Sequence, residues 1–473
     1  MPPPRQIYLL NPETLSPETI AVTFAKTSRS PKSFKEIASE LTEETSADFH
    51  EKWVVGYGHA SIAEHAVLHI ALENISRLAV ENLESNRLAS YTEKSSRYQL
   101  WDLHNFFIPP ELTSHALNTL YIDTCQELLN AYQQALPVLQ STAERIYPRA
   151  DEESEKAWKQ RVRTISMDAC RYFLPASCLT NVGMTINARE LEHALCKMLS
   201  HPLQEIQQIG QEIKSIAQNQ IPTLVKYSNA IPYLQGACHE VQTTLNQEEL
   251  QAKKRSWFEV VQYNIQDEIN VLAAMLFRSN PSSMFNCRAQ VSNDPILQKK
   301  LIHTLFDDLG DHDTPLRDLE HAWMTIDVIL DQGAYGELKR HRMMTLTTQS
   351  FTPSFGFAIP TLISQAKLQK QYCQLMQTAK KTYQKLHSFN IDVSPYILPN
   401  AYNRRVLITL NLRSAFHLIR LRTSPNAHFA MRRFALYLSE VIAQLYPLLG
   451  PHFQPSTNET WQQIENDYFT QTC

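Results

Sequence analysis

Two arginines and a histidine stand in a row in the segment Lys339–Ser350, which reads Lys-Arg-His-Arg-Met-Met-Thr-Leu-Thr-Thr-Gln-Ser. A guanidinium is a permanently charged planar group that suits phosphate and carbonyl oxygens. A basic cluster of this kind is usually only a solvated turn, since short motifs often match by chance. An altered copy of the same phrase at Asn82–Tyr98 favours a functional site instead.

The two copies belong to a longer internal repeat. Arg342 follows Arg87 by 255 residues, and Ser350 follows Ser95 by the same spacing. Other phrases recur in the same order: Glu64-His65-Ala66 as Glu320-His321-Ala322, Leu174-Pro175 as Leu398-Pro399, and Asn187-Ala188-Arg189 as Asn411-Leu412-Arg413. The later phrases repeat at a shorter spacing, which predicts a longer middle stretch in the first half. Four phrases in one order indicate duplication of a whole domain.

The composition narrows the class of protein. A length of 473 residues suits two domains, and a net charge of −4 argues against a nucleic-acid partner. The eight cysteines include no CxxC pair, and no signal peptide or long apolar run is present. These features predict free thiols in a reducing cytoplasm and no membrane association. Neither GxGxxG nor GxxxxGK[ST] occurs, so a bound dinucleotide needs another kind of site.

The elements that must position the repeated phrases follow one plan in each half. Strands are predicted at the start of the halves, at Arg5–Leu10 and Trp257–Tyr263, and central strands by period-two alternation. The alternating apolar residues are Leu68, Ile70 and Leu72 in the first half and Met324, Ile326, Val328 and Leu330 in the second. Each half ends in a helix with an apolar stripe, and the middle stretch of the first half also reads as helical.

The pattern predicts an α+β chain of two homologous domains, each a mostly antiparallel sheet with flanking helices. We expect a first domain at residues 1–239, a polar linker at 240–256, and a second domain at 257–473.

The motifs resemble those of the flavin-dependent thymidylate synthases, here as an internally duplicated, tandem two-domain member. The Arg-His-Arg phrase and the following serine match Arg340–Arg342 and Ser350. The family's Gly-His-x-[Ser/Thr]-x-x-Glu-His phrase matches residues 58–65, with a stretched version at 312–321. Its Leu-Pro…Asn-Ala-Arg-Ser…Leu-Arg…His phrase is matched in the second half by residues 398–428 and partly in the first half.

The resemblance implies reductive methylation of dUMP to dTMP, with methylenetetrahydrofolate as carbon donor and NADPH as reductant through bound FAD. It implies catalytic roles for Arg422, which matches the family's base-contacting arginine, and for Arg340. The implied substrate-binding residues are Glu93, Ser95, Arg97, Arg171 and Ser350. The implied flavin or folate contacts are His59, Ser61, Glu64, Arg87, Asn187, Arg189, His201, His312, Thr314, Glu320, Arg340, His341, Arg342, Asn411, Arg413, His417 and His428.

The two halves depart from the family pattern in complementary ways. The first half keeps the phosphate-binding set but has Ser85-Asn86-Arg87 in place of Arg-His-Arg, and Lys197-Met198 near the place of the base-contacting arginine. The second half keeps the flavin and base-contacting set but has Thr348, Thr352 and Pro395 where the first has Glu93, Arg97 and Arg171. This division predicts composite sites between the halves, in a homodimer that forms a four-domain assembly.

Several alternatives stay open at this stage. The chain is an active synthase, a degenerate member that binds FAD or a nucleotide with a regulatory or structural role, or a module that reuses the fold for another purpose such as RNA binding. Asn187 and Asn411 contact FAD or form a domain-joining hydrogen bond. No metal is expected, because His65 and His69 lie on an alternating segment without a third ligand. The pairs Arg404-Arg405 and Arg432-Arg433 read as solvated faces.

Overall fold

The computed structural model describes residues 6–56, 60–236, 256–310 and 312–470. In the first half the strands are β1 Val67–Ser76, β2 Ala89–Glu93 and β3 Leu179–Asn187. The helices are α1 Pro17–Thr27, α2 Phe34–Ser39, α3 Glu43–Phe49, α4 Arg77–Leu83, α5 Asn118–Ile146, α6 Glu155–Cys170, α7 Ala188–Leu199 and α8 Gln204–Ala217.

The second half follows a similar order after an additional first strand. Its strands are β4 Phe258–Tyr263, β5 Trp323–Asp331, β6 Thr345–Thr348 and β7 Asn403–Asn411. Its helices are α9 Asp267–Arg278, α10 Met284–Asn293, α11 Pro295–Phe306, α12 Gln332–Leu338, α13 Thr361–Gln365, α14 Gln369–Phe389, α15 Leu412–Arg422, α16 Phe429–Leu445 and α17 Trp461–Tyr468.

Each half contains one antiparallel sheet, with the order β1-β3-β2 in the first and β4-β5-β7-β6 in the second. The α+β prediction is confirmed, as are the central strands, because Leu68, Ile70 and Leu72 alternate with exposed neighbours on β1. The β5 strand shows the same alternation, with its apolar side chains in the core. The helices predicted in the middle of the first half are α5 and α6.

The strand predicted at the start of the first half is wrong. Residues 6–10 form no strand, and Ile7 and Leu9 are 89% and 96% exposed. An apolar residue in an alternating pattern stabilises a strand only where its side chain reaches a core, and these two find none. The corresponding strand of the second half, β4, does pair with β5, and Phe258 packs into the core.

The halves dock through equivalent segments. Pro175 and Pro399, the same position of the two repeats, form an antiparallel bridge. Around it, the Asn400 amide donates to the Leu174 carbonyl at 3.0 Å, and the Ala176 amide donates to the Leu398 carbonyl at 3.0 Å. One apolar core runs through both halves. The two domains are therefore packed about an approximate twofold axis near the two Leu-Pro phrases.

Buried ion pairs strengthen this docking. Both Glu81 carboxylate oxygens accept from Arg404 Nη1, at 2.6 and 2.7 Å, and Gln332 Nε2 donates to the same carboxylate at 3.0 Å. Burial opposes the charge of Glu81, but the nearby Arg404 and Lys339 outweigh it and lower the pKa of Glu81. The carboxylate comes from the first half and the cations from the second.

The expectation of solvated Arg404-Arg405 and Arg432-Arg433 faces is therefore wrong. These four side chains are between 7% and 13% exposed, and each has a carboxylate partner. The partners are Glu81, Asp327, Glu459 and Glu465. Paired arginines are tolerated inside a protein where isolated ones are not, and sequence alone does not show the partners.

Two other expectations concern the cysteines and the linker. Cys373 is disulfide-bonded, so the prediction of free thiols throughout is wrong at this residue. Cys125, Cys170, Cys178, Cys196 and Cys287 are free. Most of the predicted linker lies outside the described residues, and the domain boundaries at 239 and 257 stay a prediction. Within the described ranges, no helix combines the length and the apolar character needed to cross a membrane.

Candidate active site

A cleft of about 1470 Å³ lies between the two halves. Most of the predicted second-half site residues line it: His312, Thr314, Glu320, Arg340, His341, Arg342, Asn411, Arg413, His417 and Arg422. From the first half it receives Glu64, Arg87 and Asn187. The cleft is therefore shared, as the complementary pattern of the two sequences predicts.

Strand-to-helix junctions position the walls of the cleft. Asn187 ends β3 and caps α7, its Oδ1 accepting from the Glu190 amide at 3.0 Å. Asn411 ends β7 and caps α15 in the same way, accepting from the Ser414 amide at 2.8 Å. Asparagine is a favoured helix cap because its oxygen satisfies an otherwise unpaired backbone amide. Both asparagines therefore have a structural role and also line the cleft.

A glutamate–arginine pair recurs in each half. Glu64 pairs with Arg189 in the first half. Glu320 pairs with Arg413 at 2.8 Å in the second, and Arg413 also donates to the Pro315 carbonyl at 2.9 Å. Three of these residues line the cleft, and Arg189 reaches it only through Glu64. The repeat thus conserves a charged pair at equivalent places in the two domains.

The base-contacting arginine expected from the sequence is held by neutral groups and a carboxylate. Arg422 is the last residue of α15, and its Nε donates to His341 Nε2 at 2.9 Å. Burial, with smaller effects of Arg422 and His417, lowers the pKa of His341 to about 3. His341 is therefore neutral, with its proton on Nδ1 and Nε2 free to accept. The Arg422 guanidinium is fixed in orientation by this contact.

Glu337 on α12 joins the residue sets of the two halves. Its Oε1 accepts from Arg171 Nη1 at 3.1 Å, and its Oε2 accepts from Arg422 Nη1 at 3.1 Å. Burial opposes the charge of Glu337, but four guanidiniums outweigh it and lower the pKa of this carboxyl; they belong to Arg171, Arg97, Arg422 and Arg340. Two of these arginines, Arg171 and Arg422, contact the carboxylate and the other two act on it electrostatically; we call the four the arginine cluster.

The two first-half members of the cluster differ in how they are held. Arg97 forms a bidentate pair with Asp168, at 2.6 and 2.8 Å, and donates to the Asn426 carbonyl at 3.0 Å. The Arg171 side chain is only 4% exposed, and its Nε and Nη2 have no hydrogen-bond partner among the described residues. Buried donors of a charged group are usually paired, so these two atoms are exceptions among the described residues.

Arg340 is the open member of the cluster. Its side chain is 52% exposed and lies 3.6 Å from Glu93, the predicted phosphate-site carboxylate. Glu93 is also paired with Arg77 at 3.1 Å. Ser95 Oγ accepts from the Arg97 amide at 3.2 Å, which shapes the loop that carries Arg97. These contacts place the predicted phosphate set behind the cleft wall formed by Arg340 and Arg422.

Other predicted residues lie away from the cleft. Ser350 and Ser61 are exposed outside it, and His59 lies outside the described residues. His201 Nδ1 accepts from the Leu203 amide at 3.1 Å, and His428 Nδ1 accepts from the Ala430 amide at 3.3 Å. The two histidines thus have the same backbone-capping contact in the two repeats. Their predicted flavin contacts stay predictions.

The first-half counterpart of the Arg422–His341 contact has different chemistry. Lys197 Nζ donates to Asn86 Oδ1 at 2.9 Å and bonds Ser85 Oγ. Burial, with a smaller effect of Lys339, lowers the pKa of Lys197 to about 8. The Lys197 amine, hydrogen-bonded to two side chains, therefore stands where the second half has the planar guanidinium of Arg422. This place does not reproduce the arginine arrangement of the second half.

The cleft fits a flavin dinucleotide in size, charge and polarity. Its volume is larger than the range of about 300–1,000 Å³ that is usual for the sites of small ligands, and a dinucleotide is larger than such ligands. Arg87 and Arg342 line it, and no carboxylate of the described residues is within ion-pair distance of either guanidinium. Large exposed apolar side chains also line it: Val67, Leu88, Trp323, Met343 and Leu421. Cations suit a pyrophosphate, and the apolar surface suits a flat ring.

Sequence reasoning missed Glu337, Asp168 and the cleft residue Arg420. Glu337 lies three residues before Arg340, in an ordinary helical stretch, and Asp168 lies three before Arg171. An acidic residue one helical turn from a motif arginine is a weak signal that was available. This spacing does not indicate which arginine will form an ion pair with the carboxylate.

Comparisons with known proteins agree with the repeat. The model of the family described as thymidylate synthase complementing protein, Thy1, matches residues 10–223 and again 259–448. A UPF0159 protein of Chlamydia muridarum is 27% identical over 428 residues, covering 86% of this chain and 80% of that protein. A UPF0159 protein of Thermoplasma acidophilum is 25% identical over 460 residues, covering 87% and 89%.

A flavin-dependent thymidylate synthase of Clostridium tetani is 30% identical over 220 residues. The match covers 46% of this chain and 83% of that enzyme, so one domain of this chain corresponds to most of that protein. The match of the family model to both halves agrees with two homologous α+β domains. The chain therefore belongs to the thymidylate synthase complementing protein family, and contains two copies of the family's domain.

Proposed function

We propose that this protein methylates dUMP reductively to dTMP, with methylenetetrahydrofolate, bound FAD and NADPH, at a site built from both halves. The observation that carries the proposal is the arginine cluster. Arg171 from the first half and Arg422 from the second donate to the two oxygens of one carboxylate. Neither half contains both residues, but the two halves together supply both. The loss of motif residues from each half therefore does not by itself remove the site.

The cleft residues would hold FAD, with Arg87 and Arg342 toward its pyrophosphate. When bound, FAD supplies the hydride chemistry, so the protein's part is positioning and electrostatics. Arg422, oriented by His341, would stabilise the negative charge that develops on a uracil carbonyl oxygen. Arg171 has two unpaired buried donors for a phosphate oxygen. Arg340, at the exposed edge of the cluster, adds a third cation.

A second candidate function has its own support. Arg97 and Arg171 are already paired with Asp168 and Glu337, which leaves less positive charge for a substrate phosphate. This observation favours a degenerate member that binds FAD or a nucleotide and has a regulatory or structural role. Both candidates bind FAD or a nucleotide, and they differ in turnover.

The separating experiment is complementation of a thymidine-requiring bacterium with the full chain, together with the visible spectrum of the purified protein. A synthase gives growth without thymidine and flavin absorbance. Flavin absorbance without growth, and without dTMP formation in vitro, would refute the synthase and support the second candidate. A colourless protein with no affinity for FAD or for dUMP would refute both.

The assembly state is part of the proposal. Two chains would provide the four domains that the sequence resemblance implies. Light scattering of the purified protein should give twice the mass of the 54.4 kDa chain. A monomer with full activity would contradict the four-domain assembly but leave the site within one chain intact.

A further inference from the structure

The carboxylate of Glu337 lies between the residue that the proposed function assigns to the substrate phosphate, Arg171, and the residue assigned to its base, Arg422. Its side chain is 10% exposed, and its main-chain oxygen also accepts from Arg422 Nη2 at 3.1 Å. An anionic nucleotide that used both arginines would therefore need the position that the Glu337 carboxylate occupies. Among the described residues, no other carboxylate accepts hydrogen bonds from both Arg171 and Arg422.

The contacts of Glu337 are weaker in geometry than those of its neighbour. Charge-assisted N–H···O bonds are usually about 2.7–2.9 Å long. The Arg97–Asp168 pair is bidentate at 2.6 and 2.8 Å, which marks a permanent structural pair. The Glu337 carboxylate accepts one bond from each of Arg171 and Arg422, each 3.1 Å long, so its side-chain contacts are single and longer. The hydrogen bonds of the Glu337 carboxylate are therefore weaker than those of the Asp168 carboxylate.

Arg171 also has unused binding capacity. Its Nε and Nη2 are buried without a partner in the described part of the chain, while only Nη1 meets Glu337. A Cβ built on Gly333 would lie 3.1 Å from Nη2 and 3.3 Å from Nε, so a residue larger than glycine at this position would crowd this edge of the guanidinium. A phosphate has more acceptor oxygens than a carboxylate and could satisfy donors that Glu337 leaves unpaired. Unpaired buried donors are costly, so this exchange favours the phosphate.

We infer that Glu337 is an internal competitor for the anion site of the arginine cluster, and that a nucleotide phosphate binds by displacing its side chain. This inference rests on the proposed function. It assigns to Glu337 the role of setting how tightly the site holds an anionic substrate. The four guanidiniums face the carboxylates of Glu337, Asp168 and Glu93, so removing one negative charge changes the local balance substantially.

The test is calorimetric titration of the purified full chain with inorganic phosphate and with dUMP, comparing wild type with Glu337→Gln. Glutamine has nearly the same shape but no charge. We expect at least tenfold tighter binding of both ligands by Glu337→Gln. The matched control is Glu259→Gln, an exposed residue of the β4 edge strand, which removes the same charge far from the cluster and should leave the affinity unchanged.

A second variant, Glu337→Ala, gives an independent reading. Removal of the side chain should again tighten phosphate binding, and added acetate should compete with phosphate in this variant but not in wild type. Equal affinity in wild type and Glu337→Gln, or weaker binding in both variants, would overturn the inference. Failure of both variants to fold, judged by circular dichroism, would also overturn it, since a carboxylate needed for folding is not one that a ligand displaces.

These outcomes separate the inference from the proposed function. Tighter anion binding in the variants, with no dTMP formation by any form, supports the competitor role and contradicts the synthase. Complementation by wild type with unchanged affinity in Glu337→Gln supports the synthase and contradicts the competitor role.

Discussion

Arg342 donates a hydrogen bond from Nη1 to the backbone carbonyl oxygen of Arg87, 3.0 Å away, although the two residues are 255 positions apart in the chain. They occupy the same position of the two repeats. The docking of the halves thus brings equivalent motif residues together on the wall of one shared cleft. A duplication that places both copies on one site allows each copy to lose residues that the other supplies.

The first prediction concerns flavin retention. Arg342→Ala removes a cleft cation that has no carboxylate partner, and should weaken FAD binding about tenfold, as expected for the loss of one charge-assisted contact. The measurement is FAD titration followed by flavin fluorescence. Arg149→Ala, a change at an exposed arginine far from the cleft, is the control and should bind FAD like wild type. Equal affinity in the two variants would remove Arg342 from the flavin site.

The second prediction concerns the composite site. Arg340→Gln should lower kcat/KM for dUMP by about 100-fold, because a preorganised cation at the reacting group is lost. The side chain is half exposed, so the fold should be intact. Arg288→Gln, at an exposed position of α10, is the matched control and should retain activity.

Co-expression of Arg340→Gln with Arg171→Gln then locates the site. In the structure both residues belong to the cluster of one chain, so every chain in a mixed dimer lacks one of them. We expect no recovery of dTMP synthesis. Recovery of activity, from the one intact site that each mixed dimer would then contain, would mean that the two arginines of a site come from different chains.

The third prediction concerns the stability of the interface between the halves. Glu81→Gln leaves the buried Arg404 guanidinium, 7% exposed, without its charge partner and should lower the free energy of unfolding by about 3–5 kcal/mol. Glu40→Gln breaks an exposed pair with Lys32 and should cost about 0–1 kcal/mol. Urea unfolding measures both.

The pH dependence of that difference has a defined sign. The folded-state pKa of Glu81 is lowered below 4.5, so its contribution is fully present above the unfolded value and is lost as pH falls through the folded value. The gap between wild type and Glu81→Gln should therefore stay constant from pH 7 to about 5 and shrink below pH 4.5. A gap that widens on acidification would contradict the pairing.

The fourth prediction concerns His341. With a pKa of about 3, this histidine should stay neutral between pH 5 and 8, and its Nε2 should show the nitrogen chemical shift of an unprotonated acceptor. The measurement is 15N NMR of histidine-labelled protein, with His341→Gln used to assign the signal. A titration of this ring near pH 6.5 would show that Arg422 is not held by it.

The sequence by itself determined the duplication, the α+β class and the kinds of residue at the site. The period-two alternation of Leu68, Ile70 and Leu72 predicted β1 because a half-buried strand needs that pattern. The repeated phrases identified the charged residues of the site, because residue types and their order can be compared directly between the two halves of the sequence. The same local reasoning wrongly predicted a strand at Ile7 and Leu9. These residues alternate as in a strand, but their side chains do not pack into a core.

Only the tertiary structure decided what the charged residues meet. Arg171 and Glu337 are 166 positions apart, and Arg404 and Glu81 are 323 apart, so no local pattern links them. The docking about the two Leu-Pro phrases brings both half-motifs around one carboxylate and buries arginines that looked solvated. Burial and pairing depend on the packing of whole domains, and that is why Glu337 became visible only in three dimensions.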